Sequence, residues 1–420
     1  MAASNSHSTF SYRLLTWGLF PAALLYTSFI ALKAKNKKYF SQRLGVYRNT
    51  THSKSLIWCH CASVGEINTA IPLLRSLTER GEHLLISTNT VTGKQALEKA
   101  KLENTQHIFF PLDYISCARR LINQFTPKLL LLFETELWPN TLCAIANHSI
   151  PIAIINGRIS EKTLHAPAWV LKNYKHALQN IDTIIASSEE NATRFVALGA
   201  NSNNVSALDN LKFASINTPT NVPDSTQLTY PFLLCASTHQ GEEQSIIQQW
   251  EISKSENLGL VIAIRHPQRT KEVCKILDKQ QLPYNLHSEN PKNISKNEIY
   301  IIDTLGQLMP FMKQAEFVFM GGSLTPVGGH NLVEPAQFGR CLFIGPYHDN
   351  FKDMVNDLIK CKGIIIIDNA QQLFDEIHTL LKNRKAQQQL GNNAKQYLES
   401  KVHVLENYQQ RVFNLIDSQR

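Results

Sequence analysis

Hydrophobic positions fall into two kinds of run along this chain. The first is a single long one: Leu14–Leu32 holds nineteen residues without a charge. As a helix rising about 1.5 Å per residue it would reach roughly 28 Å, close to the apolar thickness of a bilayer. The second kind is short, β-branched and repeated. Segments 56–62, 84–88, 107–111, 129–134, 151–156 and 182–187 read as strands, and a second series follows at 231–237, 258–265, 298–303, 316–320, 341–344 and 363–367. Helical patterns separate them almost throughout. Runs such as Leu129-Leu130-Leu131-Leu132-Phe133 are apolar on both faces, which suits a parallel strand covered by helices on each side. Twelve alternations of strand and helix predict an α/β fold of two doubly wound, Rossmann-like domains. The expected organisation is an anchor with a basic collar over residues 1–48, a first domain over 49–213 and a Thr-, Asn- and Pro-rich linker over 214–230. A second domain over 231–383 and closing helices over 384–420 complete it.

Charge sharpens the reading of the first run. Residues 1–65 contain no Asp or Glu and eight basic residues, so the formal charge of +8 lies wholly beside the apolar stretch. Trp17 and Tyr26 suit headgroup depth, and the cluster Lys33, Lys35, Lys37 and Lys38 places the rest of the chain in the cytoplasm by the positive-inside rule. A membrane anchor is therefore expected, ahead of a cleaved signal or a buried core helix. The basic cluster would meet an anionic membrane surface. Nucleic acid is a poor partner, because basic and acidic residues balance beyond the anchor. Eight cysteines are scattered singly, with no C-x-x-C pair, which indicates a reduced cytosolic body without a structural zinc.

Ligands of doubly wound sheets bind at the carboxyl ends of the strands, and the chemistry-bearing residues cluster there. In the first half, Glu66 is the first carboxylate in the chain and follows the first strand. It suits a general base that takes a proton from an attacking hydroxyl. The alternative is a helix N-terminal charge satisfying the dipole. Of Glu134 and Glu136, which flank Thr135 at the end of their strand, one is expected to face the cleft. Lys212 would balance an anionic substrate or be a solvated surface lysine, and Arg158 is undecided. In the second half, Gly321-Gly322-Ser323 and Gly328-Gly329-His330-Asn331 lead into an expected helix at 331–339. Glycine-rich loops and a helix N-terminus suit a phosphate. Arg265 would add a fixed cation and Glu334 would accept hydrogen bonds from ribose hydroxyls.

Ala62–Glu66, Glu134–Asn140, Leu211–Phe213, Ser237–Glu242, Arg265–Pro267, Asp303–Leu308 and Gly321–Glu334 together resemble the Kdo transferases, the 3-deoxy-D-manno-octulosonic acid transferases of lipopolysaccharide synthesis. The likeness covers nearly the whole chain. It implies a GT-B architecture, an acceptor-binding first domain and a CMP-sugar-binding second domain facing it across a cleft, anchored at the cytoplasmic face of a Gram-negative inner membrane. It implies an inverting glycosyltransferase with CMP-Kdo as donor and a tetra-acylated lipid A precursor as acceptor. Position by position, Glu66 matches the general base, and Glu134 and Lys212 match groups that stabilise the transition state. CMP contacts would fall on Ile264, Arg265, Leu305, Gly306, Gln307, Asn331, Leu332, Val333 and Glu334. Three positions depart from the pattern: Gln307 stands for a Glu, Ile264 for a Pro and Ala214 for an Asp.

No cofactor is expected. The chain has no Asp-x-Asp pair, and a sugar linked through a single phosphate needs less metal assistance than one linked through a diphosphate. Arg265, Lys212 and the helix N-terminus would supply the positive charge instead. Two other readings stay open: a UDP-hexose transferase acting on another membrane lipid, and a catalytically silent nucleotide-binding membrane scaffold.

Overall fold

A computed structural model describes residues 9–47, 55–217, 228–253, 258–290 and 296–418. Most of the expected linker, 218–227, lies outside the described residues. The chain divides into two compact units, residues 1–215 with 403–420 and residues 216–402. The last two helices part company accordingly: Arg384–Glu399 belongs to the second unit and Val404–Asp417 to the first.

The first unit begins with helix α1, Phe10–Lys33, and helix α2, Lys37–Arg43. Its sheet comprises β1 Leu56–His60, β2 His83–Thr88, β3 Thr105–Phe109, β4 Leu129–Phe133, β5 Ile152–Gly157, β6 Thr183–Ala186 and β7 Val205–Ala207. The order is β3-β2-β1-β4-β5-β6-β7, with every pairing parallel. All five residues of β4 are buried, as an apolar strand covered on both faces requires. The helix Val404–Asp417 packs on α3, Val64–Glu79, where Arg80 holds Asp417 through two contacts of 2.6 and 2.7 Å and lies over the Phe413 ring.

The second unit repeats the plan with β8 Phe232–Thr238, β9 Gly259–Ile264, β10 Tyr284–Leu286, β11 Ile299–Ile302, β12 Phe317–Met320, β13 Cys341–Ile344 and β14 Ile365–Ile366. Its order is β10-β11-β9-β8-β12-β13-β14, again parallel. All twelve expected strands are present. The two that sequence missed, β7 and β10, are three-residue edge strands, half-buried along their length. A run that short on a half-wet edge carries no hydrophobic period to detect.

In both units the strand order reverses beside the first strand, between β1 and β4 and between β8 and β12. At such a point the helices after the two strands leave in opposite directions and open a crevice at the strand ends.

Candidate active site

Glu66 stands in the first turn of α3, directly after β1. Ser63 is the N-cap, accepting from the Glu66 N–H at 3.3 Å, and the Glu66 carboxylate reaches back. One oxygen accepts from the Ala62 N–H at 2.8 Å and the other from the Ser63 hydroxyl at 3.0 Å. This is a reciprocal helix cap, so the dipole-satisfying role weighed from sequence is present in the geometry. It does not exhaust the group, because a carboxylate has about four acceptor positions and two are used here. Glu66 is buried, and burial pushes its pKa from 4.5 up to about 7. The Ala62 N–H opposes that rise, and the neighbouring Glu134 and Glu136 carboxylates add to it.

Glu134 follows β4 on the other side of the switch point. The expectation that only one of Glu134 and Glu136 faces the site does not hold: β4 ends at Phe133, and Glu134 takes a left-handed conformation with φ 58°. With that turn, both carboxylates come into the surroundings of Glu66. A non-glycine residue there carries strain, and such strain concentrates at functional sites. Glu136 is fixed by the Trp138 indole N–H at 2.8 Å. Behind it lies His60, fully buried, with Nδ1 on Ser87 and Nε2 4.0 Å from the Glu136 carboxylate. Burial lowers the His60 pKa against the pull of Glu136.

Lys212 is brought to the same sheet end by β5. Asn156, also left-handed at φ 58°, accepts the Leu211 N–H at 2.9 Å, and Lys212, half-buried, follows in the turn Leu211–Asn217. Glu66, Glu134 and Lys212 thus follow or flank three adjacent strands, β1, β4 and β5. Arg158, undecided from sequence, is held by Thr135, whose hydroxyl accepts its N–H at 3.0 Å and donates to its carbonyl. Beside this loop, Tyr12 and Leu15 of α1, Leu137, Trp138, Trp169 and Tyr174 line a largely apolar groove of about 330 Å³.

The second unit corrects two expectations. The helix predicted at 331–339 is only Val333–Gln337, too short to build the expected dipole. The amides of Gly321-Gly322-Ser323 are not free for a phosphate either. Buried Glu242 accepts from the N–H groups of His239 at 2.9 Å, Gly322 at 2.7 Å, Ser323 at 3.0 Å and Leu324 at 2.9 Å. Burial raises its pKa, against those four hydrogen bonds. The glycines there serve packing: a Cβ on Gly321 would lie 2.6 Å from the Ser237 carbonyl oxygen.

What the strand ends present instead is a cluster of rings that sequence did not single out. His239 follows β8, His266 follows β9 and His330 follows the loop after β12. His239 and His330 stack with their Nε2 atoms 2.8 Å apart, and His266 meets His239 edge-on at 5.4 Å. Burial, then Arg265, depresses the His330 pKa to about 4. The pattern was visible as one histidine after each of three strands. Arg265 itself is exposed at the end of β9, next to buried Ile264. Leu305, Gly306 and Gln307 are exposed on the loop between β11 and the helix Leu308–Gln314. Asn331 accepts the Val333 N–H at 3.1 Å, and Leu332 and Val333 have buried side chains, so only their backbones can face a ligand. Burial raises the Glu334 carboxyl.

Solved structures with the same fold include UDP-GlcNAc 2-epimerase from Neisseria meningitidis bound to UDP-GlcNAc. It is 12% identical with a TM-score of 0.59 over 87% of this chain and 100% of that one. HepE from Anabaena in complex with UDP is 11% identical with a TM-score of 0.57 over 87% and 100%. At such identity the likeness speaks for the fold alone. The 3-Deoxy-D-manno-octulosonic-acid transferase (kdotransferase) family model matches residues 38–215. The 3-deoxy-D-manno-octulosonic acid transferase of Rickettsia felis is 30% identical over 373 residues, 86% of this chain and 79% of that protein. The enzyme of the same name from Haemophilus influenzae is 29% identical over 386 residues, 89% and 90%. Two doubly wound parallel sheets with a switch point in each define the GT-B class of fold. The chain belongs to the 3-deoxy-D-manno-octulosonic acid (Kdo) transferase family, whose members transfer Kdo in lipopolysaccharide synthesis.

Proposed function

We propose that this enzyme moves Kdo from CMP-Kdo to a tetra-acylated lipid A precursor at the cytoplasmic face of the inner membrane, inverting the anomeric carbon, with Glu66 as general base. The acceptor hydroxyl oxygen attacks that carbon from the face opposite CMP, its proton passes to Glu66, and the bond from carbon to phosphate oxygen breaks as CMP leaves. The observation that carries the reading is the buried Glu66 carboxylate at the switch point between β1 and β4, where burial pushes its pKa up to about 7. A base with that pKa is ionised near neutral pH yet basic enough to take a proton. Glu134 stabilises positive charge developing on the sugar ring. Lys212 and Arg265 balance the Kdo carboxylate and the phosphate. Ile264, Arg265, Leu305, Gly306, Gln307, Asn331, Leu332, Val333 and Glu334 hold CMP, with the ribose on Glu334. The groove between α1 and Trp169 suits an acyl chain of the acceptor.

Two measurements test this together. CMP and UMP compete for the purified enzyme in a binding assay, where CMP should win. Mass analysis of the lipid product made from CMP-Kdo should show added Kdo. Tighter binding of UMP, or no sugar added to the lipid, refutes the proposal.

A further inference from the structure

Helix α1, at 24 residues, is long and apolar enough to cross a membrane: its most apolar 18-residue stretch has a mean hydropathy of 1.6, and 6% of that stretch is buried. Length alone does not say whether it crosses. Its contacts do. Along its inward face, residues spaced three or four apart rest on the first unit. Thr9 donates to Asn173, and the Tyr12 hydroxyl donates to Asp113 at 2.8 Å. The Thr16 carbonyl accepts from Tyr114, and the Phe20 ring meets Tyr114 edge-on at 5.1 Å. Thr27 is buried further along the same stripe. Asp113 is itself part of the core of that unit, buried and bonded to the Thr141 N–H at 2.8 Å and hydroxyl at 2.7 Å. Immediately after α1, α2 is tied to the same unit: Arg43 donates to Asn89 at 3.1 Å and to the Phe110 carbonyl at 2.6 Å.

The start of α1 and the turn that ends it are therefore both fastened to one folded body, about 36 Å apart along the helix. A helix crossing a bilayer would carry Thr9 and Tyr12 to the far side, away from Asn173 and Asp113. The outward face agrees with this placement. Phe10, Leu14, Trp17, Leu25, Phe29 and Leu32 stand between 61% and 82% exposed, the reverse of a water-soluble surface helix. Exposed Lys33, Lys35, Lys37 and Lys38 follow at its end, where anionic headgroups would meet them. Held to one folded body at both ends, with apolar side chains exposed on its outer face and cations at one end, the helix can enter a leaflet only along its plane.

We infer that α1 lies in the plane of a single leaflet of anionic phospholipid and does not span the membrane, so that both termini of the chain stand on the same side. This rests on the membrane association in the proposed function but not on the catalytic assignment. The test uses the full-length enzyme with one epitope tag before Met1 and another after Arg420, expressed in a Gram-negative host. Sealed membrane vesicles of both orientations are treated with protease. Both tags should be cut in the same vesicles and protected in the others; tags cut in opposite vesicles would overturn the inference. A second measurement is flotation of the untagged enzyme with preformed phosphatidylglycerol vesicles. Leu14→Lys and Phe29→Lys should each reduce the floating fraction about tenfold without changing the melting temperature, whereas Thr16→Val should not. Equal flotation of all variants, or no flotation of the wild type, also overturns it. Kdo transfer to acceptor dispersed in detergent is measured in parallel, so failure of the membrane placement is told apart from failure of the catalytic reading.

Discussion

Replacing Glu66 by Gln separates the two roles that geometry gives this residue. The amide oxygen can still accept from the Ala62 N–H and the amide nitrogen can donate to Ser63 Oγ, so the cap on α3 survives with one charge-assisted bond weakened, a cost of about 1–2 kcal/mol. Against this stands a gain. The folded enzyme holds the Glu66 proton up to about pH 7, whereas a free Glu releases it near 4.5. Stability from this raised pKa is fully present below 4.5 and is lost as pH rises through about 7. Ionising Glu66 therefore costs the wild type up to about 3 kcal/mol at pH 8, a cost Gln does not carry. The net expectation is a variant about 1–2 kcal/mol more stable at pH 8 and closely matched at pH 5. By calorimetry that is a melting temperature raised by about 2–6 °C at the higher pH. Catalysis should move the other way. With initial-rate assays on CMP-Kdo and lipid acceptor, kcat should fall by about 10²–10⁴, the range for losing a general base. In the wild type, kcat/KM should rise about tenfold per pH unit up to about pH 7 and then level off; the variant should lose that limb. A Gln variant with kcat within about threefold of wild type, or with the same pH limb, would refute the assignment of Glu66 as base.

Three further outcomes are expected from the same geometry. Glu134→Gln removes a carboxylate that raises the Glu66 pKa, so the acid limb of kcat/KM against pH should shift to lower pH while the rate falls; Glu134→Gly should also melt higher by relieving the left-handed backbone, about 1 kcal/mol by calorimetry. Glu242→Ala strands four N–H groups, two of them in fully buried hydrogen bonds, and should cost roughly 4 kcal/mol, read as loss of soluble protein or a sharply lower melting temperature; Glu242→Gln should be milder. Two helical glycines should respond oppositely to Ala: at Gly391 a Cβ would lie 2.0 Å from the Gly339 carbonyl oxygen and should lower the melting temperature by several degrees, while at Gly65 the nearest atom is 3.8 Å away and thermal stability should hold or improve.

The candidate site was legible in proportion to how local its causes are. Glu66 could be placed at the end of β1 because an apolar strand followed by Ser and, three residues later, Glu is a helix start written in the sequence. Its neighbours could not be placed that way. The swing of Glu134 and Glu136 toward Glu66 depends on a left-handed turn at a residue that is not glycine, which no local rule forecasts. The Gly321-Gly322-Ser323 loop read as a phosphate cradle because glycine permits it. Glu242, about eighty residues earlier, occupies those amides, and only the pairing of β8 with β12 brings the two together. The histidine cluster was missed for the same reason.

Sequence by itself determined the periodic features: twelve parallel strands, the apolar helix, the basic collar, and the family likeness carried by ordered motifs. Each is set by side-chain hydrophobicity over a few residues, or by residue identity at fixed spacing. The tertiary structure alone decided what those elements do to one another. It fixed which amides are already taken, which carboxylates crowd Glu66 and raise its pKa, and which face of α1 rests on protein. Those outcomes depend on desolvation and on contacts between residues far apart in the chain, quantities that a linear string does not contain.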